Sequence, residues 1–383
     1  MDEAREEVIS RLHDSPFAGV LVCSGGGSQA LADLLTVPGA SRTVIEAVVP
    51  YSEEAAVEFL GARPEQFCAA ETARSYAMAA FLRTIRFLAR KHNIAETEVT
   101  EALNVVPFGA AVTAALATDR PKRGEHRIHV AVQTAEVTAS WSVVLEKGAR
   151  TREQEERVAS DLLLEALAAV AGVANTLTIS WRDREIPECR KIEAPKAWQD
   201  ILLGRRDAVR LGVPHDWTGE AGAAIFPGAF NPLHKGHLRM AEVAQEILGR
   251  PVEFEISVLN VDKPPLDYFE IKRRTEQFSV DESVWLTRAP TFEEKSARFP
   301  GTTFVVGLDT ILRIADRGCR FLVFGRLQGE RFLTLDDVTL PDSLRMICSG
   351  VPAERFREDV SSTELRRGLR NSDDATEITL PSE

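Results

Sequence analysis

Residues 226–237 read Phe-Pro-Gly-Ala-Phe-Asn-Pro-Leu-His-Lys-Gly-His and decide the fold of the C-terminal half. The apolar run 223–226 predicts a short buried strand, and residues 238–248 have the apolar spacing of a helix. Gly228 and the pair Asn231-Pro232 predict a tight turn between them. A strand, a turn and a helix N-terminus in this order predict an anion site, because the free N–H groups and the positive end of the helix dipole both face the turn.

Two further features of the sequence fit phosphate oxygens. His234 and His237 fall on one side of the first helical turn, so both can contact one polyphosphate. The alternative is that one histidine caps the helix and the other is solvated, but the complete string favours the phosphate interpretation. Near the C-terminus, Ser362 and Thr363 are N-cap residue types before a helical segment, and Arg366 offers a bidentate fork one turn later.

These stretches resemble the nucleotidylyltransferase superfamily, whose signature is Gly-x-Phe-(Asp/Asn)-Pro-x-His-x-Gly-His. The Asn form present here is found among nicotinamide and nicotinate mononucleotide adenylyltransferases. Residues 360–366 are similar to the family motif Ile-Ser-Ser-Thr-x-x-Arg, residues 304–310 to its strand ending in Gly-x-Asp-(Thr/Ser), and residues 321–326 to its strand ending in arginine. Four motifs in family order over residues 223–370 imply a doubly wound, Rossmann-like α/β domain.

The resemblance implies transfer of AMP from ATP to nicotinamide or nicotinate mononucleotide, with Mg²⁺ bridging the phosphates. Its implied catalytic residues are His234, His237 and Arg366. Its implied nucleotide-binding residues are Gly228, Ala229, Phe230, Asn231, Gly307, Asp309, Arg326, Ser362 and Thr363. The loops at 260–266 and 285–292 depart from the family pattern. Another phosphorylated acceptor (a phosphopantetheine, phosphocholine or a sugar phosphate) and a non-catalytic nucleotide sensor therefore stay open as alternatives.

The N-terminal half alternates predicted strands and helices, which indicates an α/β domain with a mixed sheet. Residues 23–28, Cys-Ser-Gly-Gly-Gly-Ser, follow one strand and open a helix, and such a glycine turn lets backbone N–H groups cradle an anion. The apolar spacing of residues 71–92 predicts a long amphipathic helix. Residues 128–132 and 141–145 predict paired strands, and residues 176–181 predict the last strand of the sheet.

Residues 15–173 resemble the C-terminal domain of CinA-like proteins, the nicotinamide mononucleotide amidohydrolase fold. The family's Glu-Ser-Cys-Thr-Gly-Gly and Leu-Thr-x-Val-Pro-Gly-(Ala/Ser)-Ser motifs align without gaps onto residues 23–41. The resemblance implies an active serine at Ser24, a tyrosine at Tyr51 and a threonine at Thr113. The family's glycine after that threonine is replaced, and its lysine after the tyrosine is not present. An active deamidase and a relic domain both stay open.

Composition bounds the class of protein. The chain has 383 residues, of which 44% are hydrophobic and 27% charged, as in a soluble globular protein of two domains. A formal net charge of -12 argues against nucleic acid as a partner. Five unpatterned cysteines, a charged N-terminus and the lack of a long apolar run predict a cytoplasmic protein with no membrane partner. We expect small-molecule nucleotides as partners and a homo-oligomer formed through the CinA-like domain.

The predicted domain organisation follows from these patterns. Residues 1–181 form the CinA-like domain, and residues 223–370 form the nucleotidylyltransferase domain. Residues 182–222, with their charge clusters and prolines, are predicted as a connector with a short helix. Residues 371–383 are predicted as a flexible acidic tail.

Overall fold

The computed structural model describes residues 2–119, 123–212, 224–259, 264–312, 319–329 and 331–358. They fall into two compact units. Unit 1 lies within Met1–Arg206 and Asp262–Glu270, and unit 2 lies within Asp207–Val261 and Ile271–Glu383. Each unit is built on its own sheet with helices, so the α/β fold class predicted from the sequence is confirmed.

Unit 1 contains a six-stranded mixed sheet. Its strands are β1 (Phe17–Ser24), β2 (Val44–Val48), β3 (Val106–Ala115), β4 (His126–Thr134), β5 (Val137–Leu145) and β6 (Glu188–Glu193). The order is β2-β1-β3-β4-β5-β6, parallel from β2 to β3 and antiparallel from β3 to β6. Its helices are α1 (Glu3–Asp14), α2 (Ser28–Thr36), α3 (Ala40–Thr43), α4 (Glu53–Leu60), α5 (Ala70–His92), α6 (Val99–Ala102), α7 (Arg152–Ala171) and α8 (Lys196–Leu202).

The alternation of side chains along β1 divides the core of unit 1 into two layers. Leu21 and Cys23 belong to the cluster formed with α1, α2 and α7. Val20 and Val22 belong to the cluster formed with α4 and α5. Both faces of β1 and β3 are covered, which explains why these strands are almost continuously apolar.

The prediction of a strand at residues 176–181 is wrong. In the described chain these residues form no strand, although Leu177, Ile179 and Trp181 pack against the core. The partner of β5 is β6, whose sequence Glu-Cys-Arg-Lys-Ile-Glu has little apolar signal. Charged side chains are typical of exposed edge strands, which is why the apolar pattern did not reveal this one.

Unit 2 contains a seven-stranded sheet. Its strands are β7 (Ala208–Leu211), β8 (Ala224–Pro227), β9 (Val252–Ser257), β10 (Val284–Thr287), β11 (Thr303–Gly307), β12 (Arg320–Phe324) and β15 (Cys348–Gly350); β13 (Arg326–Gln328) and β14 (Arg331–Leu333) form a separate hairpin. Its helices are α9 (Lys235–Leu248), α11 (Phe292–Arg298), α12 (Leu308–Ile311) and α13 (Asp342–Arg345). Helix α10 (Tyr268–Thr275) begins in the residues assigned to unit 1 and ends in those assigned to unit 2.

The order of the parallel strands, β10-β9-β8-β11-β12-β15, corresponds to 3-2-1-4-5-6 in chain order. This is the doubly wound order of dinucleotide-binding folds, as predicted, with antiparallel β7 added at one edge. The strand order reverses between β8 and β11, which are hydrogen-bonded neighbours. Ligands of such sheets bind at this switch point, outside the carboxyl ends of the strands.

The predicted connector, residues 182–222, is described as far as residue 212. That part contains β6 and α8 within unit 1 and β7 within the sheet of unit 2. The predicted tail lies outside the described residues, and the domain limits given above stay a prediction. In the part of the chain that the structure covers, no helix is both long and apolar enough to cross a bilayer.

Candidate functional site

The turn after β8 lies at the switch point of the unit 2 sheet. The N–H of Gly228 donates to the carbonyl of Glu255 on β9 at 2.9 Å. Phe230 has a positive φ of 42° and a side chain only 2% exposed, with its ring centroid 5.4 Å from that of Phe226. A Cβ on Gly228 would meet the Phe230 ring at 2.6 Å. A glycine is therefore needed at position 228 so that the Phe230 ring can pack under the turn. This requirement is separate from the close approach of a ligand that the sequence predicted for Gly228.

Gln277 holds this turn from outside the sequence motif. Its amide nitrogen donates to the carbonyl of Phe230 at 2.9 Å, and its amide oxygen accepts from the N–H of Leu233 at 2.8 Å. Arg274, one turn earlier, donates to the carbonyl of Ala229 at 3.2 Å. No sequence motif predicts Gln277 and Arg274, because a glutamine after a charged helix has no pattern that predicts a contact made 44 residues away.

The two predicted histidines lie together at the N-terminus of α9. Their rings stack with centroids 3.7 Å apart. The backbone N–H of His234, the N-cap residue, donates to Nδ1 of His237 at 3.3 Å. Since Nδ1 of His237 accepts this bond, the proton of the neutral ring is on Nε2, which is then a donor.

Both imidazoles are neutral near pH 7. Burial, helped by the neighbouring His234, lowers the pKa of His237 to about 3. Burial also lowers the pKa of His234, against an opposing effect of Glu358. Nδ1 of His234 is buried and has no hydrogen-bond partner among the described residues. A buried polar atom without a partner is costly, so this nitrogen is available to a ligand.

Glu358 is another residue that the motifs did not indicate. Its carboxylate lies 3.5 Å from Nζ of Lys235, in the first turn of α9. A Cβ on Gly236 would lie 3.1 Å from Nδ1 of His234 and 3.7 Å from Cβ of Glu358. An acidic side chain thus stands beside the helix N-terminus at which the sequence predicts an anion. The one sequence signal for Glu358 is its position just before the motif at residues 360–366.

Asp309 and Arg326 form an ion pair with each other. Asp309 lies in α12, directly after β11, and Arg326 follows β12, so both stand at the carboxyl edge of the sheet. About half of each side chain is exposed. Among the described residues, no heavy atom lies within 4 Å of a Cβ built on Gly307, at the end of β11. As far as the described residues show, there is open space beside Gly307.

The remaining predicted residues of this site are only partly described. Asn231 lies in the turn, half-buried, and its peptide bond to Pro232 is cis. Ser362, Thr363 and Arg366 lie outside the described residues.

In unit 1 the structure brings two of the three predicted deamidase residues together. Ser24 and Thr113 are register partners at the carboxyl ends of β1 and β3. The Ser24 hydroxyl donates to the carbonyl of Pro50 at 3.3 Å, and the Thr113 hydroxyl donates to the carbonyl of Ala69 at 3.2 Å. The third residue, Tyr51, is 76% exposed.

The glycine turn of unit 1 already holds a carboxylate. Glu156, on α7, accepts from the Ser28 hydroxyl at 2.9 Å and from the N–H of Gln29 at 3.3 Å, at the N-terminus of α2. Arg152 pairs with the other oxygen of Glu156 at 2.9 Å and donates to the carbonyl of Gly25 at 3.2 Å. The anion that the sequence predicted for this turn is therefore an internal side chain.

Comparison with known proteins gives a family match for the C-terminal part and several similar solved structures, including the two given below. The Cytidylyltransferase-like family model matches residues 225–368, so the C-terminal part carries a nucleotidylyltransferase-like domain, as the sequence motifs predicted. The competence/damage inducible protein CihA of Agrobacterium tumefaciens is 17% identical, with 44% of this chain and 97% of that chain covered and a TM-score of 0.30. A competence-damaged protein (CinA) superfamily protein of Escherichia coli is 12% identical, with 44% of this chain and 88% of that chain covered and a TM-score of 0.31. Among curated proteins, no match was found.

Proposed function

We propose that unit 2 transfers AMP from ATP to the phosphate of nicotinamide or nicotinate mononucleotide, giving a dinucleotide and pyrophosphate. The observation that carries this proposal is the pair of neutral, stacked imidazoles at the N-terminus of α9, one with a buried, unpartnered Nδ1. Neutral ring nitrogens and free helix N–H groups can bind phosphate oxygens without the strong ion pairing that would hold the product.

In this mechanism the acceptor phosphate attacks the α-phosphorus in line, and pyrophosphate leaves. No protein nucleophile is needed, so catalysis comes from positioning and from stabilising charge on the phosphates. His237 donates from Nε2 and His234 binds through its unpartnered nitrogen. When bound, Mg²⁺ neutralises phosphate charge and needs few protein ligands. Arg326, and the sequence-predicted Arg366, would bind the departing β- and γ-phosphates.

Binding of ATP requires two existing contacts to open. Arg326 is paired with Asp309, and Glu358 stands beside His234 and Lys235. Both acidic groups belong to exposed or half-buried pairs, which contribute little stability, so a triphosphate can displace them at small cost. Asp309 can then accept a hydrogen bond from the ribose of the nucleotide.

Pyrophosphate release tests this function. The full-length chain is supplied with ATP, Mg²⁺ and, in separate reactions, nicotinamide mononucleotide, nicotinate mononucleotide, phosphopantetheine, phosphocholine and a sugar 1-phosphate. Release that depends on either mononucleotide supports the proposal. Release with one of the other acceptors alone would assign the domain to a different transfer, and binding of ATP without release would make it a sensor.

We propose a second activity for unit 1, hydrolysis of the carboxamide of nicotinamide mononucleotide at Ser24. The half-buried Ser24 hydroxyl beside Thr113, at the carboxyl end of the parallel strands, supports it. Both units would then act on one small molecule. Ammonia release from nicotinamide mononucleotide, lost in Ser24→Ala, is the test; equal release by both proteins would refute it. Since all five cysteines are free, we propose a reducing, cytoplasmic setting.

A further inference from the structure

A tyrosine that the sequence motifs did not single out lies under Ser24. Tyr76, on α5, is 1% exposed, and its ring packs against Phe59 with centroids 5.7 Å apart. Its hydroxyl oxygen is buried and has no hydrogen-bond partner among the described residues. A phenylalanine would fill the same space without burying an unsatisfied hydroxyl, so packing alone does not account for a tyrosine here.

The alternation of β1 places Ser24 on the same face as Tyr76. Val20 and Val22 belong to the core cluster that contains Tyr76, and Ser24 is the next residue on that face. Burial raises the pKa of Tyr76 to about 12, and the Ser24 hydroxyl, which is near but outside hydrogen-bond geometry, acts in the opposite direction. The phenol is thus protonated near pH 7 and lies near the serine.

Tyr51 has a different environment. Its side chain is 76% exposed, although the neighbouring Pro50 accepts the hydrogen bond of Ser24. An exposed tyrosine on a surface segment is poorly suited to fix the rotamer of another side chain, because its own rotamer is not locked by burial in a core.

We propose that Tyr76, rather than Tyr51, is the positioning residue that orients Ser24 for attack on a carboxamide. This inference rests on the proposed hydrolysis at Ser24. The Ser24 hydroxyl donates to the carbonyl of Pro50 at 3.3 Å, and this bond does not use the lone pairs of its oxygen. When a ligand displaces the bond to Pro50, the serine oxygen can accept a hydrogen bond from the Tyr76 phenol.

The reaction that Tyr76 assists is balanced without a further reagent. Oγ of Ser24 forms a bond to the carbonyl carbon, the C–N bond breaks, and the serine proton leaves on the nitrogen as ammonia. Water then cleaves the acyl ester, which releases the carboxylic acid and restores the serine hydroxyl. Tyr76 touches only Ser24 in this scheme and holds its oxygen in one orientation.

The test uses the full-length chain and a fluorophosphonate probe, which labels activated serines without needing the natural substrate. Tyr76→Phe keeps the ring in the core and removes the hydroxyl, Tyr51→Phe tests the competing tyrosine by the same change, and Ser24→Ala identifies the labelled residue by mass spectrometry. We expect Tyr76→Phe to slow labelling of Ser24 by about tenfold to a hundredfold, as a misplaced nucleophile does. The melting temperature should not fall, KM for the carboxamide should stay the same, and Tyr51→Phe should slow labelling less than Tyr76→Phe does.

The outcomes separate the two claims. If wild-type Ser24 is labelled and Tyr76→Phe is labelled equally fast, the role of Tyr76 is refuted while Ser24 remains a reactive serine. If Tyr51→Phe alone slows the reaction, the assignment belongs to Tyr51. If wild-type Ser24 is not labelled at all and no ammonia is released, the proposed hydrolysis itself fails, and this inference fails with it.

Discussion

Replacement of His237 separates its role in folding from its role in chemistry. His237 is the third residue of α9, and its Nδ1 accepts the backbone N–H of His234, the N-cap residue, which is one of the two bonds of a capping box. Glutamine is a usual residue at this third position and makes the same bond. His237→Gln therefore keeps the helix cap and removes the imidazole donor, whereas His237→Ala removes both.

The structure sets the expected magnitudes. His237→Ala loses the cap, worth about 1 kcal/mol, and the ring packing against Phe226 and Phe230, worth about 2 kcal/mol for a half-buried ring. His237→Gln loses about 1 to 2 kcal/mol, because the cap and part of the side-chain volume remain. The loss of one transition-state donor should lower kcat about a hundredfold to a thousandfold in both variants.

Pyrophosphate release at saturating ATP and mononucleotide measures kcat, and urea unfolding measures stability. His92→Gln, a change at an exposed histidine of unit 1, serves as the control and should match the wild type in both assays. Equal loss of kcat in the two His237 variants, despite their different stabilities, supports the role of Nε2. Near-wild-type turnover in His237→Gln would refute the reasoning.

Three other changes test the surroundings of the site. Gln277→Leu removes two hydrogen bonds to the turn and one to the carbonyl of Arg274, so we expect a loss of about 2 to 3 kcal/mol in unfolding free energy and a higher KM for ATP; an unchanged KM with unchanged urea stability would contradict this. Lys295→Met leaves the buried carboxylate of Glu255 without its partner at 2.7 Å, which should cost about 3 to 5 kcal/mol, whereas a loss under about 1 kcal/mol would show that the pair is not needed. The pKa of His237 is about 3 in the folded protein and about 6.5 in the unfolded chain, so unfolding between pH 3 and 6.5 takes up a proton. The free energy of unfolding should therefore fall as the pH drops from about 6.5 towards 3. In His237→Gln, the melting temperature should lack the part of its pH dependence that comes from this proton.

Much of the fold was predictable because strong local patterns produced it. The helix at Ala70–His92 and the paired strands β4 and β5 follow the apolar periodicity closely. The strand, turn and helix around residues 226–237 were also correct, since glycine, Asn-Pro and helix-start signals agree there. The sixth strand of unit 1 was missed because a charged edge strand is stabilised by backbone bonds to β5, which the sequence does not display.

The candidate site was predictable only where one short motif contained it. His234 and His237 were found because their spacing fixes them on one helical turn. Gln277, Glu358 and Tyr76 were not found, because each acts through a contact between residues far apart in the sequence. The glycine turn at Ser28 shows the converse error: a plausible anion site is filled by an internal carboxylate that no local pattern reveals.

The position of the label after reaction with α-³²P-labelled ATP tests the central claim most directly. The claim requires attack at the α-phosphorus by the phosphate of nicotinamide or nicotinate mononucleotide. We predict that the full-length chain moves the label into a dinucleotide in proportion to the mononucleotide supplied, with one unlabelled pyrophosphate released per label. Label that stays in ATP, or that appears only in AMP or ADP whatever mononucleotide is present, would contradict the account.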